Sequence, residues 1–253
     1  MCFEPDSLPP IPVVSGAALS HDELVLEARD GNRCAAFAAL PDDEASAGVV
    51  ILPDVRGLYR FYEELALRFA ERGYAAIAFD YFGRTAGMSK RDADFDYMPH
   101  VQAATVEGIQ ADVAAAVEWL RMRAGIDAVF TVGFCMGGRH SWLSAAGGHG
   151  LAGAVGFYGR PGTGQDGTPG PAQLAAEMEC PILALQAGDD GNITADDNAA
   201  FERALEAAGV EHELVTYEGA PHSFFDRRQE DFQAASDDAW GRVLAFLARR
   251  GRS

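Results

Sequence analysis

Ala128-Val129-Phe130-Thr131-Val132-Gly133-Phe134-Cys135-Met136-Gly137-Gly138 is the stretch that decides how this chain folds. From Ala128 to Phe134 the residues are nearly all apolar, several of them β-branched or aromatic, as in a strand buried on both faces. Glycines at 133, 137 and 138 clear the space around one residue, so that a strand can turn sharply into a helix and hold that residue out. The helix predicted over about Met136 to Ser144 points its N-terminus at Cys135 and favours a thiolate there. Its first amide, from Met136, can donate to a developing oxyanion. A cysteine between glycines can also be a small buried hydrophobe. The strand-turn-helix setting favours the nucleophile.

Outward from this stretch, strand and helix patterns alternate. Upstream, two strands (Glu23 to Glu27, Arg33 to Leu40) joined by the turn Asp30-Gly31-Asn32 read as an antiparallel edge. The apolar runs Gly48 to Leu52 and Tyr74 to Phe79 read as strands around a helix from Phe61 to Arg72, which Gly73 ends. A long helix is expected over Val101 to Ala124, stopped by Gly125. Downstream come strands at Ala152 to Phe157, Ile182 to Gln186 and Glu213 to Tyr217, with helices at about Ala195 to Ala208 and Asp231 to Arg249. Apolar strands separated by helices imply an α/β fold, a mostly parallel sheet with helices on both faces and binding loops at the strands' carboxyl ends. The connections Arg84 to His100 and Arg160 to Pro171 should rim that end.

The composition bounds the rest. The 253 residues fit a single domain, with residues 1–20, rich in proline, as an extended lead-in. A formal charge of -18 disfavours nucleic-acid binding and would repel an anionic substrate unless arginines reverse the field locally. No basic-then-apolar leader and no membrane-length apolar run is present, which points to a cytoplasmic protein that does not engage a membrane. Cys2, Cys34, Cys135 and Cys180 are scattered and suggest neither a metal site nor a disulfide framework.

A cysteine nucleophile needs a base and an orienting acid. His222, in Gly219-Ala220-Pro221-His222-Ser223-Phe224, follows the last predicted strand and precedes the last helix, where the base of such a triad is carried. The acid should follow the preceding strand, where Gly188-Asp189-Asp190-Gly191-Asn192-Ile193 offers two carboxylates. Asp190 is chosen because Ile193 lies three residues on; Asp189 is the alternative, and the unused one serves a turn or cap.

Three segments together, Gly133-Phe134-Cys135-Met136-Gly137-Gly138, Asp80-Tyr81-Phe82-Gly83-Arg84 and Ala220-Pro221-His222-Ser223-Phe224-Phe225, resemble the dienelactone hydrolase family of the α/β-hydrolase fold, over residues 20–250. The resemblance implies a cofactor-independent hydrolase that opens a small ester or lactone, such as dienelactone to maleylacetate, in aromatic compound degradation. It casts Cys135 as nucleophile, His222 as base and Asp190 as its acid. It further implies that Arg84, with Arg227 or Arg228, binds a substrate carboxylate. The Leu52-Pro53-Asp54-Val55-Arg56-Gly57 loop would supply a second oxyanion amide from Val55. Asp54 would stand where the family carries a thiol-activating glutamate. A general carboxylesterase and a noncatalytic small-molecule-binding descendant are the alternatives.

Overall fold

The structure, a computed structural model, describes residues 3–89, 91–164 and 166–250. Cys2, named above among the scattered thiols, lies outside them. In chain order the elements are β1 (Leu19–Glu27), β2 (Arg33–Pro41), β3 (Gly48–Leu52), α1 (Arg60–Ala70), β4 (Ala75–Phe79), α2 (Gly83–Ala86), α3 (Met98–Ala103) and α4 (Val106–Ala124). They continue with β5 (Val129–Phe134), α5 (Met136–Ser144), β6 (Gly153–Phe157), β7 (Ile182–Asp189), α6 (Ala195–Ala208), β8 (His212–Pro221) and α7 (Gln233–Arg250).

The eight strands form one sheet in the order β1-β2-β4-β3-β5-β6-β7-β8. The expected edge hairpin is present: β1 pairs antiparallel with β2, and β2 with β4, while the remaining neighbours are parallel. Every residue of β3, β4, β5 and β6 is buried. Strands apolar on both faces must be covered twice, and helical crossovers supply the cover. Val49, Ile51, Phe130 and Val132 face α1 and α7 through Phe61, Leu65, Phe69 and Val243. Val50, Leu52 and Ile77 face α4 through Ile109, Val113 and Leu120, and Ala154, Ile182 and Ala184 meet Trp142 of α5 and Phe201 of α6. Among the described residues no helix is long and apolar enough to cross a membrane.

Three expectations change. The long helix at Val101 to Ala124 is two helices, because Ala104 is extended and the Thr105 hydroxyl accepts a hydrogen bond from the Gly108 amide at 3.1 Å, starting α4 afresh. The last two strands run further than their apolar cores: β7 to Asp189 and β8 to Pro221. The described part of the proline-rich lead-in before β1 is anchored to the body of the fold, which its composition alone did not specify. Phe3 is buried and stacks on Phe61 with centroids 4.0 Å apart, Ile11 is buried, and the Ser7 hydroxyl donates to Asp226 at 2.8 Å.

Candidate active site

The sharp turn after β5 depends on its glycines. Cys135 sits at φ 56° and ψ −113°, a conformation that L-residues rarely adopt. It is held there by its amide donating to Phe157 O at 3.0 Å and its carbonyl accepting from Arg139 N at 3.1 Å. A Cβ on Gly137 would collide with the Leu52 and Pro53 carbonyls, and one on Gly138 would lie 2.6 Å from Phe157 O. The start of α5 therefore packs, through Gly137, directly on the end of β3 and on Pro53, the residue after it. The non-glycine residues with positive φ among the described residues are Cys135, Tyr158 and Ser223. Backbone strain of this kind costs about 1–3 kcal/mol per residue and gathers at functional sites.

β7 and β8 bring the other two groups together. Asp189 pairs with Pro221 across the parallel ladder, so the next residue of each strand, Asp190 and His222, emerges side by side. Asp190 Oδ2 lies 2.6 Å from His222 Nδ1, with no exposure of the Asp190 side chain and 13% for His222. Asp190 Oδ1 accepts from the Asn192 amide at 2.9 Å. Burial works to raise the Asp190 pKa, but the hydrogen bonds from His222 and the Asn192 and Ile193 amides outweigh it, so the carboxyl titrates below its usual range. Asp189, by contrast, is exposed. A residue that the sequence reading did not single out, Tyr158, packs its ring 4.9 Å from that of His222. Its position directly after a buried strand ending at the site was the available signal.

Of the described cysteines, Cys34 and Cys180 are buried and Cys135 is partly exposed. Burial pushes the Cys34 thiol far up and the Cys180 thiol to about 12, so neither is a ready nucleophile. Asp54 is buried. Its carboxylate accepts from the Tyr59 hydroxyl at 3.1 Å and the Arg56 amide at 2.8 Å, and its own amide donates to the Tyr62 hydroxyl at 2.8 Å. Tyr81 donates to Pro53 O at 2.7 Å. Burial, followed by the charge of Asp54, pushes the Tyr81 hydroxyl well above the usual tyrosine value. The loop bearing Val55 is thus pinned by three tyrosines.

The arginines are placed differently from one another. Arg84 is held by Asp30 (Nη2 to Oδ2, 2.7 Å) and by Asp112 (Nη1 to Oδ2, 2.5 Å), the latter with no exposed side-chain surface. It ties α2 to α4 and to the β1–β2 turn. Arg227 is exposed, and its Nη2 donates to Pro9 O at 3.3 Å. Arg228 pairs with Asp6 at 2.6 Å and lines a cavity of about 450 Å³ together with Phe3, Glu4, Asp190, His222 and Ser223. Two further arginines order the rim. Arg91 grips Asp80 with both Nε and Nη2, at 3.2 and 2.8 Å, in a buried pair. Arg139 donates to the carbonyls of Arg160, Gly162 and Pro169, fastening the connection after β6.

His140, on α5 behind the turn, is buried, and burial followed by the charge of Arg139 pushes its pKa down to about 3. An unfolded histidine titrates near ~6.5. Between those values the unfolded chain binds a proton that the folded chain refuses, so stability falls as pH drops from about 6.5 towards 3. Urea midpoints should therefore decline less steeply between neutral pH and about pH 4.5 in His140→Met than in the parent. Equal slopes would remove His140 from the acid response.

A family model for the "Dienelactone hydrolase family" matches residues 34–250. A "Putative carboxymethylenebutenolidase" from Salmonella typhi is 30% identical over 233 residues, 87% of this chain and 84% of that protein. A "Probable 2-oxo-3-(5-oxofuran-2-ylidene)propanoate lactonase" from Bradyrhizobium sp is 27% identical, covering 79% of this chain and 82% of that protein. Among solved structures, a "Putative Dienelactone Hydrolase" from Klebsiella pneumoniae superposes with a TM-score of 0.80 at 27% identity, over 91% of this chain and 99% of that one. With the strained cysteine turn, the Asp190–His222 pair and a match spanning most of its length, the chain belongs to the dienelactone hydrolase family and is a dienelactone hydrolase-like hydrolase.

Proposed function

We propose that this hydrolase opens a small ester or lactone through a Cys135-His222-Asp190 triad, and that the substrate carries a carboxylate. The observation that carries the proposal is the 2.6 Å Asp190–His222 hydrogen bond, together with an elbow cysteine that is the partly exposed one among the described cysteines. Asp190 fixes the imidazole with its proton on Nδ1 and leaves Nε2 as the base. Asp54, buried in the loop that bears Val55, assists thiol activation. The thiolate of Cys135 attacks the acyl carbon, and the Met136 and Val55 amides receive the negative charge on oxygen. Collapse expels the alkoxide, which takes the proton from His222 and leaves a thioester; in a lactone both remain one molecule. Water, deprotonated by His222, then cleaves the thioester and returns the thiol. The names of the Salmonella and Bradyrhizobium relatives, a butenolidase and a lactonase, support the substrate class.

Rapid acid quench during turnover of 4-nitrophenyl acetate, followed by peptide mass mapping, is expected to show an acetyl group on the peptide containing Cys135. Steady turnover with no acylated intermediate there, or acetyl on another side chain, would overturn the thioester route.

A further inference from the structure

An anionic substrate needs a cation beside the thiol, because the chain as a whole carries -18. Arg84 is poorly placed for this role. One of its two carboxylate partners, Asp112, is fully buried, and the other, Asp30, sits in the β1–β2 turn. Strand β2 lies three places from β5 in the sheet, about 14 Å at the usual strand spacing. Arg91 and Arg139 are engaged on a carboxylate and on carbonyls.

Arg56 differs in each respect. It follows β3, the direct neighbour of β5, with Leu52 in register with Gly133. It adjoins Val55, the residue assigned above to the oxyanion hole, and its backbone is fixed by the Asp54 carboxylate at 2.8 Å. Its guanidinium is under-used. Among the described residues, Nε is buried without a hydrogen-bond partner, and Nη2 reaches Glu4 at 3.5 Å. The Tyr97 ring lies 5.5 Å away, so an aromatic face supports the charge without occupying its donors. The side chain keeps 22% of its surface exposed, and Glu4 keeps 52%. Glu4 also lines the cavity that contains His222 and Asp190.

We propose that Arg56 is the specificity-determining cation of this site. Its guanidinium receives the substrate carboxylate, and Glu4 is an internal anion that the substrate displaces. The inference rests on the nucleophile reading of Cys135 and adds a residue that the family resemblance did not supply. A carboxylate can take two parallel N–H donors from one guanidinium, which Glu4 at the limit of hydrogen-bond distance does not.

Alkylation of Cys135 by iodoacetate and by iodoacetamide tests it without requiring turnover. In both reagents the thiolate forms a carbon–sulfur bond and iodide leaves; only iodoacetate carries a carboxylate. The ratio of the two rate constants, followed on the Cys135 peptide at low salt, cancels any common change in thiol reactivity. Arg56→Gln is expected to lower the ratio (iodoacetate over iodoacetamide) about 10-fold, Arg56→Lys by less, and Glu4→Gln to raise it about two-fold. An unchanged ratio in both Arg56 variants, or a fall confined to Arg228→Gln, overturns the role of Arg56 while leaving Cys135 as nucleophile. A Cys135 thiol inert to both reagents in the folded protein would instead sink the nucleophile reading, and this proposal with it.

Discussion

Cys135→Ala is expected to lower kcat/KM for a small ester by about 10⁴-fold or more, to the level that the oxyanion amides and binding alone sustain. The acyl group then loses the atom to which it is transferred, and the other described cysteines do not replace the sulfur: Cys34 and Cys180 are buried with thiols held protonated. Alanine meets the same backbone demand as cysteine at φ 56°, so the variant should unfold within about 0.5 kcal/mol of the parent. Initial rates and urea midpoints measured on the same preparations separate the two effects. Retention of more than a tenth of the activity would assign the chemistry to another group.

Asp190→Asn is expected to cost about 10³- to 10⁴-fold in kcat with a much smaller change in KM. The side chain is sealed from solvent and meets His222 Nδ1 at 2.6 Å. An amide NH₂ turned to that nitrogen favours the tautomer with its proton on Nε2, which cannot act as base. An amide oxygen turned to it would keep the tautomer but forfeit the charge that stabilises the imidazolium. Because the pKa of Asp190 is lowered despite burial, its anion persists as pH falls through the ordinary carboxylate range and is lost only below it. The acid limb of the wild-type pH profile should therefore not report an ordinary aspartate near ~4. Asp189→Asn is the control: that carboxylate is exposed, and kcat should stay within about two-fold. Equal losses at 189 and 190 would show that the loop, rather than the Asp190–His222 bond, is what matters.

Much of this site could be read from the chain because its signals are local. A buried strand, a residue pinched between glycines and a helix start all lie between Ala128 and Ser144. The collisions that a Cβ on Gly137 or Gly138 would make give the physical reason for those glycines. The spacing of Asp190 before Ile193 was also a local clue, although the order of β7 and β8 and the register of Asp189 with Pro221 are what set Asp190 against His222. The long helix was misjudged at Ala104 because apolar periodicity continues across a cap that a single threonine hydroxyl can start.

The arginines mark the boundary. The family resemblance casts Arg84 as a ligand of a substrate carboxylate; in the fold its guanidinium meets Asp30 and Asp112, which come from 54 residues upstream and 28 downstream. The same holds for Phe3, which belongs to the extended lead-in and is buried on Phe61. By itself the sequence determined the parallel sheet, the sharp turn and the residue types of the candidate site, since apolar runs, glycines and caps act on their neighbours along the chain. Tertiary structure alone decided which charges meet, because ion pairing depends on distances across strands and loops that no local pattern encodes.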